Sequence, residues 1–208
     1  MIMTITFVND YNDEITPEQA NLSTAYIKVY SGAGVIKKKE IYENNILSFV
    51  CYYKFPSESE SDIINMFSGG TIPFTIIETE ILLNKKIETE KSYIGNELKR
   101  KGRNLYDSQG MLLCEETYDI LTDMPMYNKT RKFFYDLSWD DFFPIMNAFY
   151  DEDRSLNRIR YDSYGADQQE IYFYLDGTPG DNDLPTLAAL LNITMAEMEY
   201  YISATLEP

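Results

Sequence analysis

The sequence predicts an α+β fold: a mainly antiparallel sheet built of hairpins, with several short helices and a helical hairpin at the C-terminal end. Three observations carry this. Runs rich in β-branched and aromatic residues are separated by turns that bear Asn, Asp and Gly. A cationic strand, a Tyr-acidic pair, a turn and a returning strand recur three times along the chain. The helix signals are short and sharply capped, the clearest being the capping box Thr194-Met195-Ala196-Glu197.

In chain order, Thr4–Val8 alternates and opens the sheet, and the polar stretch Asn9–Asn21 with Pro17 is a loop or short helix. Ala25–Tyr30 is the second strand, closed by Ser31-Gly32-Ala33-Gly34. Val35–Tyr42 and Ile46–Phe55 flank Glu43-Asn44-Asn45, a hairpin signal because Asn tolerates positive φ. The run from Ser57 to Asp62 loads a helix N-terminus with caps and negative charge. Ile63, Ile64, Met66 and Phe67 form that helix's apolar face, and Gly69-Gly70 ends it. Thr71–Ile77 is β-branched, with Pro73 confined to a sheet edge or a strand's first residues.

Lys99 to Cys114 is a second cationic hairpin, turning at Asp107-Ser108-Gln109-Gly110, and it echoes Lys37 to Ile46. Between it and the third, Ser138–Tyr150 is expected to be helical from about Asp141, with Phe142, Phe143, Met146, Phe149 and Tyr150 as one apolar stripe. Arg158 to Gly165 repeats the Tyr-Asp-Ser-x-Gly turn and returns through Glu170–Tyr174. Leu184–Leu191, with Asp183 as cap, and the segment opened by Thr194 supply the final two helices. The chain is expected to be one α+β domain over residues 1–208, with a near-neutral half 1–104 and a strongly acidic half 105–208 as the alternative division.

That division rests on charge. Residues 1–104 carry 12 Lys/Arg against 14 Asp/Glu, whereas residues 105–208 carry 6 against 20. After Arg160 there is no basic residue, while nine acidic ones follow. Such a surface repels nucleic acid and anionic membranes and attracts cationic partners. Leu187–Thr194 followed by a helix has a helix-turn-helix rhythm, but it lacks the Lys/Arg that a DNA reader needs. The 44% hydrophobic and 14% aromatic content argues for a folded globule. No signal-peptide pattern opens the chain and no apolar run reaches the length of a membrane span, so the expected location is cytoplasmic. Cys51 and Cys114 sit in strand-like runs and are expected to be reduced, partly buried thiols.

The sequence has no histidine. That removes Ser-His-Asp and Cys-His nucleophile systems, a histidine general base and histidine-bearing zinc sites, and no cofactor is expected. Asp176, Asp181 and Asp183 could offer oxygens to Ca²⁺, but the EF-hand pattern is not met and an acidic turn before a helix explains them. Tyr161, Tyr164, Tyr172, Tyr174, Asp162, Asp167, Glu170 and Asp176 form a tyrosine- and carboxylate-rich segment suited to a basic protein. In a strand, alternate tyrosines face opposite sides, so about half of them belong to the core. The expected partner-facing residues are Asp162, Tyr164, Asp167, Glu170, Tyr172 and Asp176, joined by Asp140, Asp141 and Asp151.

The Tyr-Asp-Ser-x-Gly hairpins resemble the Tyr-Asp repeats of bacterial polymorphic toxin systems and the hairpin repeats of associated immunity proteins. The resemblance covers about a quarter of the chain, rests on turn chemistry, and transfers no catalytic residue. It implies an antitoxin-like inhibitor that binds and blocks a basic toxin or nuclease. A phage or plasmid protein that mimics nucleic acid to occupy a host defence nuclease fits the same charge pattern, and a carboxylate-based hydrolase is the third reading.

Overall fold

In the computed structural model, residues 3–136, 143–162 and 184–206 are described in full, and residues 170–174 by their backbone. Among the described residues the fold is mixed α+β, with thirteen strands in one mostly antiparallel sheet of order β13-β12-β11-β10-β9-β8-β7-β6-β5-β4-β3-β1-β2. The chain divides into two compact units: residues 1–79 with 88–101, and residues 80–87 with 102–208. The second unit carries 9 Lys/Arg against 21 Asp/Glu, so most of the negative charge lies there.

The first unit begins with β1 (Thr4–Val8), β2 (Glu14–Ile15), α1 (Pro17–Leu22), β3 (Ala25–Gly32), β4 (Val35–Glu43) and β5 (Ile46–Lys54). Between β4 and β5, Asn44 and Asn45 take φ of 50° and 63°. Two successive positive φ values give a tight turn whose twist matches the flanking strands. α1 is held by a reciprocal capping box between Thr16 and Gln19. The chain then crosses through α2 (Glu60–Phe67) to β6 (Phe74–Leu82), which pairs with β5 in parallel, Val50 opposite Phe74. Pro73 stands just ahead of β6, where its missing N–H costs nothing, and its carbonyl accepts from Val50 N. Ser59 is the α2 N-cap, but its hydroxyl pairs with Ser61 rather than with the backbone. Ile63 of α2 is buried on Val50, Tyr52, Phe74, Ile76 and Tyr93, and Phe67 packs its ring 5.1 Å from that of Phe74.

β7 (Lys85–Ile94) and β8 (Glu97–Tyr106) are shared in sequence between the units. The second unit continues with β9 (Leu112–Tyr118), a 3-10 turn at Tyr127–Lys129, β10 (Arg131–Phe134), β11 (Met146–Tyr150), β12 (Leu156–Asp162), β13 (Glu170–Tyr174), α3 (Leu184–Leu190) and α4 (Met195–Ile202). Asp107 closes the β8–β9 turn by accepting from the amides of Gln109 and Met111, and Gly110 supplies φ of 86°. α3 and α4 pack on Met146, Ala148 and Ile159 through Leu187, Leu191 and Met198, forming the unit's main core. The Thr194–Glu197 capping box forms as the sequence predicts.

The helix expected from about Asp141 to Tyr150 is not found over the described residues 143–150. Met146–Tyr150 is β11, between β10 and β12, with Met146 opposite Phe134 and Tyr161. Met146, Ala148 and Tyr150 alternate onto the face that carries α3 and α4, so the period is two and not 3.6. Phe143 is largely exposed and belongs to no core stripe. Asp140, Asp141 and Phe142, like Asp183, lie outside the described residues.

Candidate protein-binding surface

Two loops of the second unit, after β9 and after β11, build an exposed end. In the first, Asp119 Oδ1 accepts from Leu121 N (2.9 Å), Thr122 N (2.9 Å) and Thr122 Oγ1 (3.1 Å). Asp119 N donates to Met124 O at 2.9 Å and Asp123 N to Asp119 O at 2.9 Å, so the loop is closed by its own backbone. Asp123 holds φ of 58°, which Asp tolerates. This ordering drives apolar side chains outward: Leu121 is 91% exposed and Met124 55%, with Ile120 beside them. The backbone amides of Thr122 and Leu121 hold the Asp119 carboxyl below the usual range and keep it charged.

The second loop, Asp151–Ser155, is a tight turn in which Asp151 N donates to Ser155 O and Arg154 N to Asp151 O. Asp153 Oδ1 accepts from Ser155 Oγ and Ser155 N, and these bonds lower its pKa. The two loops are tied together. Asn128 Nδ2 donates to Glu152 Oε1 at 3.2 Å, and the Arg154 guanidinium stands 4.6 Å from the Tyr127 ring centroid. Asp119, Asp123, Asp151, Glu152 and Asp153 thus share one end with Leu121 and Met124, against Lys129 and Arg154 and, beside Phe149 just before the second loop, Arg131 and Arg158.

Of the expected partner-facing residues, Asp151 belongs to this end. Asp162 lies at the other end of β12, where its side chain is 18% exposed and paired with Arg160 at 3.1 Å. The β12–β13 register sets Asp162 opposite Glu170 and Arg160 opposite Tyr172. Tyr161 packs against the core, as strand alternation requires of some of these tyrosines. Tyr164, Asp167, Asp176, Asp140 and Asp141 lie outside the described residues. The Asp119–Met124 loop escaped the sequence reading. Its legible signal is an apolar pair, Ile120-Leu121, enclosed by Asp119 and Asp123 just before Pro125.

The remaining polar clusters are interior supports. In the first unit Glu58 accepts from Lys37, Tyr52 and Phe55 N, and Glu60 from Lys91 and Tyr93. Burial acts against both carboxylates, yet these donors win and keep their pKa values low. In the second unit Lys132 is fully buried opposite Cys114, its ammonium donating to Tyr200 O. Burial pushes the Cys114 thiol up to about 12, so it offers no thiolate at neutral pH. Among the described residues no group of three or more Cys, Asp and Glu side chains could hold a metal ion. Among them, too, no helix is long and apolar enough to cross a membrane.

No protein-family model, no curated protein and no solved structure matches this chain.

Proposed function

We propose that this protein is an acidic inhibitor of the immunity-protein type, acting in the cytoplasm, which binds and blocks a basic toxin or nuclease. The observation that supports this reading is the exposed end of the second unit, where Leu121 and Met124 stand among five carboxylates. A soluble surface that orders apolar side chains outward with an acidic surround has the anatomy of an interface: an apolar centre for affinity and a charged rim for steering. Burying one such side chain against a partner stabilises a complex by about 1.5–3 kcal/mol. The surrounding carboxylates raise the encounter rate with a cationic protein and disfavour acidic competitors.

The test is affinity capture from a lysate of the producing cell, comparing the wild type with the double variant Leu121→Lys, Glu152→Lys. A control, Glu14→Lys with Glu43→Lys, changes exposed carboxylates of the first unit. The expected result is one basic protein retained by wild type and control and lost by the double variant. Inhibition of that protein's activity at one-to-one stoichiometry completes the case. Equal capture by the double variant, or prey that is uniformly acidic, would overturn the proposal.

A further inference from the structure

A separate feature of the second unit lies between α4 and the sheet. There a pocket of about 310 Å³ is lined by Phe134, Ile193, Tyr200 and Tyr201, with Lys85 and Glu197 at its polar side. This is the lower end of the size range for small-molecule sites, and the lining has their usual make-up, apolar walls with few charged groups.

The cations decide what would fit. Lys85 Nζ stands 5.7 Å from the Tyr200 ring centroid, and Lys132 Nζ stands 3.5 Å from the same centroid. Two ammonium groups therefore stand near one pocket-lining ring. Neither makes an ion pair with a carboxylate among the described residues. This occurs within a unit in which acidic side chains outnumber basic ones by more than two to one. Lys132 is fixed by its bond to Tyr200 O and has Cys114 and Glu116 acting on it as well as Lys85, so Lys85 is the cation left to face the pocket. The one lining carboxylate is already engaged: Glu197 Oε2 accepts from Thr194 N at 2.7 Å and from Thr194 Oγ1 at 2.9 Å. The pocket is thus apolar and aromatic, with the Lys85 ammonium on its polar side.

We infer that this pocket binds a small amphipathic anion, an aromatic or alkyl carboxylate whose body rests on Phe134, Ile193 and Tyr201 and whose charged head meets Lys85. Lys132 holds the pocket-lining Tyr200 through its bond to Tyr200 O and does not touch the ligand, so the charge preference rests on Lys85. The site is independent of the acidic surface and its protein partner.

The test uses an isosteric pair of probes, 2-naphthoate and 2-naphthylmethylammonium, titrated calorimetrically into the intact protein. The expected result is saturable one-to-one binding of the naphthoate, at least about tenfold tighter than the ammonium, equivalent to ~1.4 kcal/mol. Lys85→Met, which keeps the stem and removes the charge, should abolish the preference. Ala196→Trp, on the exposed side of α4, should fill the pocket and abolish binding of both probes while leaving the melting temperature unchanged. No saturable binding, equal binding of the two probes, or a preference that survives Lys85→Met would each overturn the inference.

Discussion

Lys132 gives the most quantitative prediction. It sits in β10 with no exposed surface, and burial lowers its pKa from 10.5 to about 8. Cys114 and Glu116 act in the opposite direction, and Lys85 adds to the lowering. Below about pH 8 the lysine is protonated in both folded and unfolded chains, so folding carries the full cost of burying a charge. Between about 8 and about 10.5 this lysine holds its proton more fully in the unfolded chain than in the folded one, so its own contribution to stability rises with pH. The raised Cys51 and Cys114 thiols, present in wild type and variant alike, act in the opposite direction. Integrating from about pH 7 to about pH 9.5 gives a gain of about 2 kcal/mol attributable to this one group. Lys132→Met removes the titration, leaving Tyr200 O without its donor, a loss that does not depend on pH. The assay is urea unfolding followed by far-UV circular dichroism at several pH values for both proteins. The difference in unfolding free energy should shift by about 2 kcal/mol in favour of the wild type as pH rises. The comparison stops short of about pH 10, where tyrosines ionise in the unfolded chain. Tyr150, Tyr200 and Tyr201 have pKa values raised by burial, so the stability they support is lost as pH climbs above that point. Parallel curves for wild type and variant across the window would refute the burial of a titrating ammonium.

Three further outcomes follow from particular contacts. Gly102→Ala would place a Cβ 2.9 Å from the Glu116 carbonyl oxygen, so backbone must move; a loss of about 1–3 kcal/mol in the urea midpoint analysis is expected. Thr194→Ala removes one half of the α4 capping box and should cost about 1 kcal/mol, most of it restored in Thr194→Ser. Iodoacetamide at neutral pH should leave Cys114 unmodified in the folded protein and label Cys51 slowly, since burial raises both thiols and Cys114 more completely. Prompt labelling of Cys114, read by mass spectrometry, would show that β9 and β10 open far more readily than their packing implies.

Much of the fold was legible where turn and cap chemistry is local. Asn44-Asn45, the Asp107–Gly110 turn and the Thr194–Glu197 box each satisfy their own backbone groups, so neighbouring residues suffice to foresee them. β11 was misread because Met146, Phe149 and Tyr150 suit a helical stripe as well as Met146, Ala148 and Tyr150 suit a strand face. What decides is tertiary: β10 and β12 on either side, and α3 and α4 above. β7 went unassigned because the turn before it has Leu83 at φ of 56°, a residue that carries no turn signal. β10 is only four residues long, too short for its periodicity to register. At the candidate surface, net charge points to the half of the chain that contains the Asp119–Met124 loop but does not single out the loop. Exposure of Leu121 and Met124 follows from how Asp119 ties the loop, which no periodicity encodes.

Recognition of a basic protein through the exposed end of the second unit is the proposed role. The most direct measurement is the association rate of the captured partner as a function of ionic strength, for the wild type and for Leu121→Lys with Glu152→Lys. The wild-type rate should fall steeply with added salt, and the variant should show both a slower rate at low salt and a flattened dependence. A rate insensitive to salt, or a variant that associates as fast as the wild type, would contradict it.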